Sequence, residues 1–387
     1  TLDVTGRVGA TEVVLDTKNL NIRGVRDAQG RPLRFELGAV DAIKGQALTV
    51  HLPAFAGSEV QKVVVDYSTR PDAAALQWLS PQQTAGGQKP YLFSQGQAIL
   101  TRTWVPTQDS PGIRQTYSAR VVAPADLTVV MSAEHLTPTG EAAAAGQKAW
   151  RFDMDRPIPP YLMAIAIGDI AFASFDGRTG VWTEPSRLEA ARAELVSTPR
   201  MVDAAEALYG PYRWGRYDLL VLPPSFPFGG MENPRLTFAT PTIIAGDQSL
   251  VSLVAHELAH SWSGNLVTNA TWSDIWLNEG TTVYFENRIM EALYGRDRAM
   301  QEQVLGWGEL SAELATTAPD DTKLHIDLTG RDPDDGLSGV PYEKGAAMLR
   351  TIERIVGRET FDAWLRGYFD RHAFQPMTDV GFLADIR

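Results

Sequence analysis

The spacing of apolar residues changes once along this chain, and that change limits the fold more than any other feature. From Leu2 to about Ile170, polar and apolar residues alternate in short runs rich in Val, Ile, Thr and Tyr, such as Glu12 to Asp16, Gln46 to Leu52 and Gln61 to Thr69. A period of two puts one face of each run in a core and the other in water, so these runs are expected as strands. Turn-forming residues separate them at Asp27 to Gly30, Ala85 to Gly87 and Thr137 to Gly140, the rhythm of an antiparallel sandwich or saddle. Beyond Gly180 the apolar positions fall at helical spacing over Pro185 to Leu208, and a strand is expected over Tyr217 to Leu222. Helices are then expected over Ser249 to Ser263, from Ser273 or Asp274 to about Leu293, and over Arg298 to Leu314, Tyr342 to Val356 and Glu359 to Arg371. Asp247 or Ser249 reads as the N-cap of the first of these and Gly264 as its stop, and Gly295 closes the second. The boundary lies near residues 174 to 180. It divides the chain into an all-β domain, 1–177, and a mostly helical domain with an α/β start, 178–387. Asp379 to Arg387 stops inside a helix-like pattern without a cap, which predicts that a further domain is missing after it.

The composition excludes several classes. With 387 residues, 44% of them apolar and 21% charged, the chain can bury more than one core. Its formal net charge of −12 repels phosphate backbones, so nucleic acid is not an expected partner. With no cysteine there is no disulfide, no thiolate nucleophile and no cysteine-held zinc, so any metal must be held by histidines and carboxylates. The most apolar stretch, Tyr161 to Ala173, is broken at Asp169, far short of the ~20 residues that span a bilayer. The chain opens at Thr1 in strand-like sequence, which a removed start or signal peptide would leave. A soluble protein, cytoplasmic or exported, is expected, and the oligomeric state is not legible.

Chemistry concentrates in His256-Glu257-Leu258-Ala259-His260, inside the expected helix Ser249 to Ser263. At i and i+4 the two imidazoles leave one helix face a turn apart, close enough to share one zinc, with Glu257 beside them. Nineteen residues past His260, Glu279 stands in Trp276-Leu277-Asn278-Glu279-Gly280 on the next helix. Two histidines and a carboxylate leave the fourth tetrahedral position open, as a catalytic site requires. Burying these ionisable groups on a helix bearing Leu250, Val251, Val254 and Leu258 costs several kcal/mol unless a cation compensates. Glu286, two turns after Glu279 on the same face, is either an acceptor for a zinc-bound histidine's free N–H or a solvated helix carboxylate. His51, His135, His325 and His372 have no partner at ligand spacing. In Gly229-Gly230-Met231-Glu232-Asn233-Pro234 the glycines permit close backbone approach to an extended peptide, and the carboxylate can receive an amine, although ordinary turn chemistry fits equally. Tyr342, at an expected helix start, is either packing or a phenol that donates to an oxyanion.

Taken together, Gly229 to Pro234, the H-E-x-x-H with its distant glutamate and Pro341-Tyr342-Glu343-Lys344-Gly345 resemble, in order and spacing, the zinc aminopeptidases of the gluzincin clan, in particular the leukotriene A hydrolase/aminopeptidase group. The resemblance extends over Leu15 to Lys18, Ala75 to Leu79, Pro90 to Gln95, Asn265 to Asn269 and Trp276 to Gly280, and so over essentially the whole chain. It implies an N-terminal β saddle, a thermolysin-like catalytic domain and a C-terminal helical domain that is missing here. By motif, it implies one zinc per chain, held by His256, His260 and Glu279, with Glu257 as base and Tyr342 as oxyanion donor. Gln97 and Glu232 would anchor a substrate's free α-amino group, Gly229, Gly230 and Met231 would lie along the substrate, and Asp334 would line an inner acidic pocket. Leu337 departs from the tyrosine of that group. The expected activity is removal of N-terminal residues from short peptides with a free amino terminus. A lipid epoxide hydrolase on the same site, a zinc endopeptidase and a catalytically silent peptide-binding module are the alternatives.

Overall fold

The computed structural model describes residues 1–387 and resolves into two compact units, Thr1–Gln77 with Ser94–Ser110, and Trp78–Phe93 with Pro111–Arg387. The first unit is built from two antiparallel three-stranded sheets. One has the order Leu2–Val4, Gln61–Ser68, Asn21–Asp27, and the other the order Glu12–Thr17, Gln46–His51, Phe35–Leu37. The inward residues of their alternating runs, Leu15, Val25, Leu48, Val50 and Val63, close on Phe55 as a single apolar cluster, as the period of two demands. The segment 94–110 is fixed by a buried ion pair: Arg102 Nε lies 3.1 Å from Asp109 Oδ2, and Arg102 also donates to the carbonyls of Lys44 and Asp109. Those carbonyls satisfy the donors that the carboxylate leaves over, which a buried guanidinium requires.

In the second unit the long strands Gln115–Pro124 and Gln147–Ile158 pair antiparallel, and Thr128–Met131, Ile165–Gly168 and Tyr91–Ser94 form another sheet. A five-stranded mixed sheet follows, in the order Ala171–Ser174, Thr179–Thr183, Tyr217–Val221, Leu236–Ala239, Gly230–Met231. Its three central strands are parallel, and Tyr217–Val221 is buried along its whole length, which is why that run is apolar apart from Asp218, whose carboxylate is paired with Arg216 at 2.8 Å. The expected boundary at 177/178 falls in the turn of the hairpin Ala171–Ser174/Thr179–Thr183, so this sheet takes one strand from before it.

Eight helices complete the unit: α1 (Leu188–Glu194), α2 (Thr198–Tyr209), α3 (Ser252–Ala259), α4 (Ile275–Tyr294), α5 (Arg296–Leu314), α6 (Gly339–Val356), α7 (Arg358–Arg371) and α8 (Asp379–Asp385). The single helical run expected from Pro185 to Leu208 is thus two helices, broken at Leu195 and restarted with Pro199 in the first turn of α2, where a missing N–H costs nothing. Most residues of α4 are buried, because this helix is surrounded by its neighbours on every side. It crosses α6 where Gly280 faces Gly345, and a Cβ on Gly345 would come within 2.8 Å of Gly280 Cα. No helix is long and apolar enough to cross a membrane.

Candidate active site

Helix α3 carries the H-E-x-x-H residues and is shorter than its sequence suggests, Ser252–Ala259 instead of Ser249 to Ser263. Neither expected cap serves it. Asp247 accepts from Ser249 N within its own turn, and the Glu194 carboxylate takes the N–H groups of Gly246 and Gln248 at 2.8 Å each, leaving Val251 at the N-cap. After Ala259 the chain tightens, with Ser261 N bonding to Leu258 O and Trp262 N to Ala259 O. It turns out at Gly264, where φ is +108° and a Cβ would strike Asn278. That tightening brings the Ser263 carbonyl back to 3.0 Å from His260 Nδ1.

The turn and the helix together aim both imidazoles the same way. His256 Nδ1 donates to Glu286 Oε2 at 2.9 Å, and His260 Nδ1 faces Ser263 O and Thr282 Oγ1, each at 3.0 Å. With the Nδ1 atoms held as donors, both Nε2 atoms present lone pairs to one point. They are 3.2 Å apart, and Glu279 Oε2 is 3.5 Å from His256 Nε2 and 3.4 Å from His260 Nε2. Bonds of 2.0–2.1 Å in tetrahedral geometry need donor edges of about 3.3–3.4 Å. Glu279 Oε2 is buried and accepts no hydrogen bond. A divalent cation resolves that deficit, so the donor set fits zinc on its own geometry. Glu286 is therefore brought to the imidazole, while its alternative as a purely solvated carboxylate is not what the fold makes of it.

The remaining carboxylates crowd the same point. Glu257 and Glu232 have oxygens within 4.8 Å of each other and of a His260 ring nitrogen. Glu257 and Glu232 are 5% and 4% exposed, and Glu257 Oε2 has no partner. Burial pushes the Glu257 carboxyl up to about 8 against the pull of the two histidines, and burial raises Glu232 as well. Burial works against a charge on His260, yet Glu232 and Glu279 bring it to about 9. All three directions report a site short of positive charge.

Gly230 sits on the edge strand of the five-stranded sheet, paired with Ala239, and any Cβ there would collide with the Glu257 carboxylate. The outer edge of that strand offers backbone groups to an extended chain. Buried Met231 pairs with Phe238 and anchors the strand. Glu232 accepts from Tyr161 Oη at 3.2 Å, and its carbonyl accepts from Asn265 Nδ2 at 2.7 Å. Tyr342 lies in the first turns of α6, whose N-cap is Ser338. Its ring stacks on His256 at 6.2 Å and 16°. Burial, together with the charges of Glu279 and Glu232, holds its phenol protonated. A cavity of about 450 Å³ opens beside His256, Glu286 and Tyr342, with Leu337 in its wall. Asp334 is instead exposed, on the turn Pro333–Gly336, and is not among the residues around this cavity. Gln97, half-buried, belongs to the first unit.

Tyr161, Thr282 and Asn265 escaped the sequence reading. Thr282 follows Glu279 by three residues on α4 and so shares its face, a signal that was available. Tyr161 had none, because its partner lies 71 residues away, and Asn265, though inside the block Asn265 to Asn269, bonds to a carbonyl 33 residues away that spacing does not reveal.

Comparison with known proteins agrees with this geometry. The description "Peptidase M1 N-terminal domain" matches residues 1–162, and "Peptidase family M1 domain" matches residues 194–387. The chain is 45% identical to leukotriene A-4 hydrolase of Xenopus laevis over 371 residues, covering 95% of this chain and 61% of that protein. It is 41% identical to leucine aminopeptidase 2 of Yarrowia lipolytica over 392 residues, covering 99% and 59%. The structure of native leukotriene A4 hydrolase from Saccharomyces cerevisiae superposes with a TM-score of 0.90 at 38% identity, over 98% of this chain and 59% of that one. The chain thus spans about 60% of the length of the curated relatives it matches. With the β-rich N-terminal part, the helical catalytic part and both halves matched in order, this chain belongs to peptidase family M1.

Proposed function

We propose that this chain carries the active site of a zinc aminopeptidase that removes N-terminal residues from short peptides. One observation carries the reading. Glu232, Glu257 and Glu279 are buried together around two histidines, and a dication plus one ammonium is the combination that neutralises three carboxylates. An endopeptidase needs no such second cation.

His256, His260 and Glu279 are the residues to hold one zinc, which supplies a Lewis acid that polarises the scissile carbonyl and makes water more acidic near neutral pH. Glu257, whose Oε2 faces the site unpartnered, takes the proton of the attacking water and passes it to the leaving amine. Tyr342, kept protonated by burial, donates to the oxygen on which negative charge develops. Glu232, oriented by Tyr161, binds the substrate ammonium and so restricts hydrolysis to the first peptide bond. The Gly229-Gly230 edge lays the substrate backbone beside Glu257.

The test is hydrolysis of aminoacyl chromogenic amides beside their N-acetylated forms, with and without a chelator. Activity on the free amines alone, abolished by chelator and restored by zinc, is expected. Equal turnover of acetylated and free substrates would replace this reading with an endopeptidase.

A further inference from the structure

Away from the metal ligands, where α4 and α5 meet α6 and the start of α7, lies a second cavity of about 340 Å³. Five arginines from these four helices line it: Arg288, Arg296, Arg350, Arg354 and Arg358. Two of them are neutralised. Arg288 makes two 2.8 Å bonds to Asp362, and Arg358 lies 3.0 Å from Glu291 and 2.7 Å from Glu353. Arg350 is held more loosely: Asn287 Oδ1, which is neutral, accepts from it at 3.0 Å, and it forms a long ion pair with Glu343 at 3.8 Å. Its side chain is only 14% exposed, and burial, with Arg354 alongside, lowers its pKa against the opposing pull of Glu343. Arg296 and Arg354, both exposed at the cavity, take part in no ion pair.

Counting Asp362 and Glu343, five guanidiniums therefore face four carboxylates, and Arg296 and Arg354 have none of their own, in a chain whose net charge is −12. Like charges so gathered repel one another, and such an arrangement is stable with a multiply charged counterion between them. Guanidiniums present planar pairs of N–H donors that match tetrahedral oxyanions, and several of them converging from different helices select a dianion or higher over a single small halide. The volume admits a group of phosphate to diphosphate size with water around it.

We propose that this arginine-lined cavity binds a phosphoryl oxyanion, with Arg296 and Arg354 as its uncompensated donors and Arg350 beside them. The site is separate from the metal triad and does not depend on the aminopeptidase reading. Free inorganic phosphate and a phosphate carried on a larger molecule share this chemistry.

Titration calorimetry of the zinc-loaded chain with inorganic phosphate, pyrophosphate and adenosine monophosphate, at ionic strength held constant with sodium chloride, tests the proposal and separates these sources. Pyrophosphate is expected to bind more tightly than chloride competes, and to raise the melting midpoint. Tighter binding of adenosine monophosphate than of phosphate assigns the group to a larger ligand, and the reverse order to a free ion. The double variant Arg296→Ala/Arg354→Ala removes two exposed side chains without breaking an ion pair, so it should keep its fold and lose at least about tenfold in affinity for each probe. Withdrawal of zinc by pyrophosphate affects parent and variant alike, so the difference between them is the reading. Equal binding by parent and double variant, or no heat with the parent at ~10 mM pyrophosphate, a concentration that fills any site of millimolar affinity, overturns the site.

Discussion

The substitution Gly345→Ala adds one methyl group at the crossing of α4 and α6, and its effect can be worked out from the contacts it would make. The new Cβ would lie 2.8 Å from Gly280 Cα and 3.3 Å from the Trp276 carbonyl oxygen. Carbon atoms in contact settle at about 3.5–4.0 Å, so the helices must part or slide by roughly 1 Å. Both sides of the gap are backbone and cannot rotate out of the way. Overpacking of this kind costs about 1–3 kcal/mol. The displacement also falls where it affects catalysis, since Gly280 follows Glu279 on α4 and Gly345 lies one turn after Tyr342 on α6. The metal ligands all sit on α3, its exit turn and α4, so zinc content should hold while the phenol moves. A misplacement of about 1 Å can cost up to a hundredfold in rate. We expect kcat on Ala and Arg chromogenic amides to fall at least about tenfold. The melting midpoint should drop by a few degrees, with zinc stoichiometry unchanged. Gly308→Ala is the control. Gly308 is exposed on α5 with nothing within 4 Å of an added Cβ, so the same change there should be neutral or stabilise by about 0.4–1 kcal/mol. If Gly345→Ala matched the parent in both midpoint and kcat, the helix crossing would not be what positions Tyr342.

Four further outcomes follow from the same geometry. Glu257→Gln should retain metal and lose almost all turnover, and full activity with bound zinc would remove Glu257 as the base. Glu286→Ala deletes the acceptor of His256 Nδ1 and should weaken zinc about ten- to a hundredfold, measured by competition with a chelator; unchanged affinity would reduce Glu286 to a surface group. Glu232→Ala should cost ten- to about a hundredfold in kcat/KM for free-amine substrates, the equivalent of a charge-assisted bond of about 1.5–3 kcal/mol, and an equal loss on acetylated substrates would refute its role at the amine. Tyr342→Phe should lower kcat by about a hundredfold with KM nearly unchanged, whereas an effect confined to KM would assign the phenol to ground-state binding.

The sequence by itself determined what lies within a few helical turns. His256 on α3 and His260 at its C-cap are one turn apart, and Glu279 and Glu286 are two turns apart on α4, so backbone geometry alone fixes each pair on a common face. The alternation in Glu12–Thr17 and Gln46–His51 likewise fixes which side chains form the core of the first unit. Tertiary structure decided everything whose partner is distant in the chain. Glu194 takes the N–H groups of Gly246 and Gln248 in the loop ahead of α3, across 52 and 54 residues, and Tyr161 reaches Glu232 across 71. His325, without a partner at ligand spacing in sequence, lies 2.8 Å from Asp274 and 3.7 Å from Asp379. Asp334, expected in an inner pocket, lies exposed on its turn, and Leu337 three residues on lies in the wall of the cavity beside His256. Arginines far apart in the chain, on four helices, come to line one cavity only through packing. The physical reason is common to all of these. Local periodicity is dictated by φ/ψ geometry repeated residue by residue, whereas contacts between remote residues depend on which faces bury together and on how closely two backbones approach, as Gly280 and Gly345 do.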